Sequence, residues 1–220
     1  MPRRALSEHR PYLLLSLLAA VSYYFFADET IGGLWLMLWR GTATGFLALY
    51  AVHRGHGIDG TLIAGALAMA AFGDMALEVS YIASGVLFKI GFMLALLLYL
   101  RNFREHITAS QKVAAATLLV LVPIITALLV YPLPNWHLAA VYAIFLGSMA
   151  AAAWTSRFPR YRVGTGAVLF VSSHILLMAR EGGELAAGIA DLLIWPLFFI
   201  GQLLIATGVV QTLRMTNDDS

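Results

Sequence analysis

Long apolar runs separated by short polar breaks fill the chain from end to end. A helix needs about 20 mainly apolar residues to cross the hydrocarbon core of a bilayer. Eight stretches meet or approach that length: 11–27, 31–52, 60–79, 82–100, 112–130, 137–154, 164–179 and 188–211. Backbone groups in lipid must be satisfied within their own segment, so these runs are predicted as helices and not strands. The breaks are DETIGG, HRGHGID, a minimal turn near Ser80, RNFREHITASQK, YPLPNW, TSRFPRYR and REGGE, and none is long enough to hold a second domain. The expected fold is therefore a single all-α polytopic membrane helix bundle over residues 1–220. The first run has the charged start of a signal peptide but no convincing small-x-small cleavage site before Asp28, and is read as an uncleaved first span.

Composition agrees with this pattern. Hydrophobic residues make up 60% of the 220, charged residues 12%, and mean hydropathy is +0.81. A soluble domain carries about 25% charged residues, so most of this surface must face something other than water. The formal charge of +2, with arginines scattered among short loops, does not suggest a nucleic-acid partner. The chain has no cysteine, which excludes disulfides, thiolate catalysis and cysteine-type zinc sites.

The basic residues set the orientation. With a cytoplasmic N-terminus, inner segments hold eleven of the 14 lysines and arginines, outer loops hold only Arg180, and Arg40 and Lys89 fall inside spans. That bias predicts both termini in the cytoplasm and an even number of spans. It also fits a bacterial inner membrane. Trp35, Trp136 and Trp195 fall near outer span ends and are expected to anchor the interface. Gly41 and Gly45, a GxxxG in span two, and the alanine run 150–153 predict close helix packing.

Ionisable side chains inside a span are costly and mark functional candidates. Here they are Arg40, Asp74, Glu78, Lys89, His174 and Asp191, with Gln202 as an uncharged addition. Asp74 is expected about 8 Å below the outer end of its span, with Glu78 one turn higher on the same face. His174 falls at a similar depth, and Arg40, Lys89 and Asp191 at roughly 15, 10 and 5 Å. All six thus occupy the outer half of the bilayer, which predicts a polar pocket opening outward. Asp191, Trp195, Phe198 and Gln202 share one face of span eight, and Pro196 predicts a kink there. Structural alternatives stand beside these readings. Asp74 with Arg40 or Lys89 also fits a packing ion pair, Glu78 and Asp191 fit solvated groups, and His174 fits a hydrogen-bonded core histidine. His53 and His56 have a metal-compatible spacing but fall in a polar loop, and no HExxH, P-loop, GxSxG or GxGxxG motif is present. No metal or cofactor is expected.

Three stretches carry a family resemblance: GALAMAAFGDMAL (Gly65 to Leu77), GAVLFVSSHILLMAR (Gly166 to Arg180) and LIWPLFFIGQLLIATGV (Leu193 to Val209). Together they resemble the YhhN-type lysoplasmalogenase-like membrane proteins over most of the chain. The last is the most specific, with Trp195, Pro196, Phe199, Gln202, Leu204, Ile205, Ala206 and Gly208 keeping the W-P-x-x-(aromatic)-x-x-Q-x-L-I-A-x-G pattern. The resemblance implies an eight-span layout and hydrolysis of the vinyl ether bond of lysoplasmalogens. It also implies a Gly-Asp in span three, kept as Gly73-Asp74, and a Ser-Asp in span seven, where this chain has Ser173-His174. A span-four histidine of the family is replaced by Leu96. Asp74 and His174 stand 100 residues apart, each after a small residue, which suggests a parallel 4+4 repeat meeting at a central site.

Vinyl ether hydrolysis needs a general acid that still carries its proton near neutral pH, and a carboxyl group away from water resists ionisation. Asp74 is the expected acid, with His174, Glu78 or Asp191 positioning water. Arg40 or Lys89 is expected to hold the lipid phosphate, and Trp195 and Gln202 to line the substrate pocket. The expected partners are the bilayer and a lysophospholipid or other membrane lipid. Two further readings use the same residues: a catalytically silent lipid-binding relative, and a proton-coupled transporter of a small or amphiphilic solute.

Overall fold

A computed structural model describes residues 10–26, 33–131 and 133–218. Within them the chain forms eight α-helices: α1 (Arg10–Phe26), α2 (Leu34–Arg54), α3 (Gly57–Leu77), α4 (Tyr81–Arg101), α5 (Ala109–Val130), α6 (Trp136–Thr155), α7 (Thr165–Glu181) and α8 (Ala187–Asp218). A π-helical turn, Arg160–Gly164, leads into α7. The apolar runs and the polar breaks fall where the hydropathy pattern puts them. Polar side chains close several breaks: Ser80 accepts from the backbone of Ala83 before α4, and Thr108 and Gln111 form a capping box before α5. Six helices, α3 to α8 with the π turn counted in α7, are long and apolar enough to cross a membrane. α1 is apolar but only 17 residues long. The protein is a multi-pass integral membrane helix bundle.

Each helix packs on its chain neighbour except where α4 skips α5 to meet α6, and α8 returns to α2 to close the bundle. α5 rests on α6 and α7 and otherwise faces outward. Small residues set the close approaches. A Cβ on Gly41 would lie 3.0 Å from the Ala71 carbonyl oxygen and inside the Met75 side chain, so α2 and α3 need that glycine. Gly45, its GxxxG partner, has nothing nearer than Ala71 Cβ at 4.0 Å and is not needed for the fit. Ala150, Ala152 and Ala153 are buried, as a packing run should be.

The two ends of the bundle differ. At the end carrying the arginine-rich loops, the α4–α5 and α6–α7 connections pair through their backbones. Arg157 N donates to Asn102 O at 2.8 Å and Arg104 N to Thr155 O at 3.2 Å. Asp59 on α3 ties this layer down, accepting from Arg101 Nε at 2.9 Å and Asn102 Nδ2 at 2.8 Å. His53 belongs to this end, but in the last turn of α2, stacked on Tyr12 at 4.9 Å, and not in a solvated loop as expected. The opposite end holds a cavity.

α8 is one continuous helix through Pro196. Proline has no N–H to offer the carbonyl four residues back, and that carbonyl, Leu192 O, instead accepts from Tyr24 Oη at 3.4 Å. One expectation for α8 needs correction: Trp195 is no interfacial anchor. It is buried, and its indole donates to Ala20 O at 3.0 Å, because it packs between α8 and α1. Trp35 and Trp136 are exposed, as anchors are.

Candidate active site

The cavity has a volume of about 680 Å3 and draws its walls from all eight helices at the end opposite the arginine-rich loops. Arg40, Asp74, Lys89, His174 and Trp195 line it, so the structure gathers five of the eight expected site residues around one space. Glu78 does not line it but is bound to Arg40, which does. Gln202 is not part of it. Gln202 lies deeper, on a separate void of about 30 Å3 beneath Phe88, Phe92 and Phe170, together with Tyr99. The helical face shared by Trp195, Phe198 and Gln202 runs past the cavity floor, and only its first two members reach the cavity. The side chain of Asp191 lies outside the described residues.

Asp74 is 2% exposed near the end of α3. Its Oδ2 accepts from Thr44 Oγ1 at 3.2 Å. Thr44 is one helical turn after Arg40 on α2, so one face of α2 delivers both groups to the site. Gly73, the residue before the acid, has its own steric reason. A Cβ there would lie 2.9 Å from the Phe88 ring. The glycine thus lets Phe88 lie flat against α3, where it forms part of the cavity wall beside Asp74.

His174 is 5% exposed and enclosed by rings. Phe170 lies 4.3 Å from it, Phe88 meets it edge-on at 5.5 Å, Tyr142 stacks on it at 5.8 Å, and Phe198 and Phe92 complete the enclosure at 5.9 and 6.1 Å. Its Nδ1 lies 2.8 Å from Phe170 O. A carbonyl only accepts, so Nδ1 carries the proton, and in the neutral ring Nε2 is then the nitrogen with the free lone pair. Ser173 Oγ donates to the same carbonyl at 2.7 Å. Tyr142 stacks on His174 and lines the same cavity as Asp74.

The two cations differ in commitment. Arg40 donates from Nη1 to Glu78 at 2.7 Å and lies over the Tyr23 ring at 5.9 Å. The expected pairing of Asp74 with a basic residue is therefore not the contact made. Arg40 takes Glu78, and Asp74 takes Thr44. Lys89, half-buried on α4, has no hydrogen-bond or ion-pair partner among the described residues. An unpaired ammonium beside an apolar cavity is costly unless an anion joins it.

Thr44 and Tyr142 are the residues the sequence did not single out. A threonine one turn after an intramembrane arginine, on the face that carries it, was a usable signal. A lone tyrosine in an apolar run was not.

A family model for the YhhN family matches residues 35–209. The chain belongs to the YhhN family. The family includes lysoplasmalogenases. No curated protein and no solved structure matches the chain at a significant level. The match covers α2 through most of α8, and so takes in every cavity wall except that of α1. Within this YhhN chain the Gly-Asp pair of α3 and the Trp-Pro of α8 both have a role in the cavity. Gly73 seats Phe88 beside Asp74, and Trp195 fixes α8 to α1.

Proposed function

We propose that the protein is a lysoplasmalogenase-like membrane hydrolase that cleaves the vinyl ether bond of a lysophospholipid by general acid–base catalysis. The observation that carries this reading is a single cavity, apolar in most of its wall, lined by a carboxyl, a histidine with one fixed tautomer and an unpaired ammonium. Family membership supports it. On this reading the eight helices all span, both termini are cytoplasmic, the cavity faces outward, and the membrane is a bacterial inner membrane.

Lys89 binds the phosphate and so sets the position of the alkenyl chain, whose vinyl ether lies against Asp74. Asp74, as the neutral acid, gives its proton to the β-carbon of the alkene, and the ether oxygen shares the positive charge as an oxocarbenium ion. His174 Nε2 takes a proton from water as the water oxygen bonds to the α-carbon, forming a hemiacetal. As the hemiacetal C–O bond to glycerol breaks, His174 gives its proton to the departing glycerol oxygen and the Asp74 carboxylate takes the hemiacetal hydroxyl proton, which yields the free aldehyde and the glycerophospho alcohol and restores both groups. No outside oxidant or reductant is consumed. Thr44 holds the Asp74 carboxyl in place, and the rings around His174 keep bulk water out.

Asp74→Asn tests this reading. Its turnover of a vinyl-ether lysophospholipid in proteoliposomes is expected to fall by about 100-fold or more, while binding of the saturated-ether analogue is kept. Unchanged turnover removes Asp74 from the mechanism.

A further inference from the structure

The outer residues of α4 occupy two environments at once. Ile82, Val86, Ile90, Met93 and Leu97 recur at helical spacing and are all exposed, so they form the membrane-facing stripe of that helix. Ile82 and Val86 also line the cavity. On the neighbouring α6, Leu138 does the same: it is exposed in line with Val141 and Ile144, and it lines the cavity. A side chain that both faces lipid and walls a cavity marks an opening in the wall. We infer that the cavity opens sideways into the bilayer between α4 and α6, and that the hydrocarbon chain of a single-chain amphiphile lies through this gap with its tail still in lipid.

The inference rests on reading the cavity as a lysophospholipid site and adds the route by which the substrate reaches it. Lys89 fits the route, since it follows Val86 by one turn on α4 and, like Val86, lines the cavity. A phosphate drawn to Lys89 leaves the chain three directions. The floor is shut by Phe88, Phe92 and Phe170, with only a void of about 30 Å3 beyond it. The end of the bundle leads to water, where each exposed methylene weakens binding about fourfold. The side leads to hydrocarbon, where the tail stays in the medium it came from and loses nothing.

The test is photo-crosslinking in proteoliposomes with a saturated-ether lysophospholipid carrying a mid-chain diazirine, a probe that vinyl ether chemistry cannot consume. Adducts on Ile82, Val86 and Leu138 are expected. Val86→Trp fills the gap and is expected to lower the Leu138 adduct about fourfold, the effect of losing one buried methylene contact. Met93→Trp, on the same stripe two turns deeper, is expected to leave it unchanged. Adducts confined to α1 or α8, or none above an unrelated membrane protein, overturn the side opening. A parallel assay with the vinyl-ether counterpart separates the two ideas. Portal adducts without cleavage refute the hydrolase and keep the opening, whereas cleavage with adducts elsewhere does the opposite.

Discussion

Replacing Lys89 is expected to damage substrate binding and leave the fold intact, while replacing Arg40 is expected to damage the fold first. The contrast follows from what each cation already touches. Arg40 is bound to Glu78 at 2.7 Å, and both side chains are mostly shielded, at 19% and 28% exposure. Arg40→Gln strands Glu78, and losing a charge-assisted bond in that setting costs roughly 1.5–3 kcal/mol of stability. Adding Glu78→Gln should recover most of it, because no uncompensated charge is then left. Lys89 has no partner to strand among the described residues. Lys89→Gln should leave thermal unfolding unchanged or slightly improved. A phosphate that meets the Lys89 ammonium gains about the same 1.5–3 kcal/mol, so its loss weakens binding roughly 10- to 100-fold. Lys89→Arg keeps the charge and should keep most of the affinity.

The assay is equilibrium binding of a saturated-ether lysophospholipid to purified protein, next to the glycerol ether that lacks the phosphate. Wild type should prefer the phosphate-bearing ligand, and Lys89→Gln should erase that preference. If Arg40→Gln erases it instead, with stability untouched, the assignment of the phosphate to Lys89 is wrong. If neither change alters it, the cavity does not bind a phosphate at all.

Three further outcomes follow from the packing. Thr44→Val removes the donor to Asp74 and is expected to lower kcat about tenfold or more with little change in KM, while Thr44→Ser restores it. Gly73→Ala puts a methyl 2.9 Å from the Phe88 ring and should cost about 1–3 kcal/mol in thermal or denaturant unfolding, whereas Gly45→Ala, with 4.0 Å to its nearest neighbour, should cost nothing measurable. His174→Asp loses the bond to Phe170 O and the ring stack, and is expected to lower turnover of a vinyl-ether lysophospholipid about 100-fold. A gain of activity in that variant, over an inactive parent, identifies the parent as a silent relative.

The helices were legible because membrane helices declare themselves by length and hydropathy. The eight stretches read from the sequence match α1 to α8 to within three residues at every end but one: α8 runs on seven residues past 211, to Asp218. The π turn before α7 left no such mark, since RYRVG reads as a polar break running into a span. Burial depth was legible too. Counting 1.5 Å per residue puts Asp74 and His174 at one level, and both line the same cavity. Partner choice was not. Arg40 lies on the same face of α2 as Thr44, and which acid it meets depends on the rotation of α3. That rotation is fixed by Gly41 against Ala71 and Met75, a contact invisible in one sequence. The reach of a helical face was overestimated for the same reason. Trp195, Phe198 and Gln202 do share a face, but a floor of phenylalanines from α4 and α7 cuts across it.

That floor also weighs between the two chemistries open to such a cluster of acid, base and histidine. A proton-coupled carrier must present its site to each side in turn, so its polar groups have to continue toward the second side. Here they stop. Below His174 come Phe88, Phe92 and Phe170. Next comes a void with room for little more than a water molecule, lined by Gln202 and Tyr99, whose hydroxyl has no partner among the described residues. Last comes the layer of paired loops locked by Asp59. Opening that end means breaking several backbone and charge-assisted bonds together, and among the described residues that line the void there is no carboxylate, histidine or lysine to relay a proton. A hydrolase has no such requirement. It needs one pocket closed at its floor, one way in for an amphiphile, and water from the side where the pocket is already open.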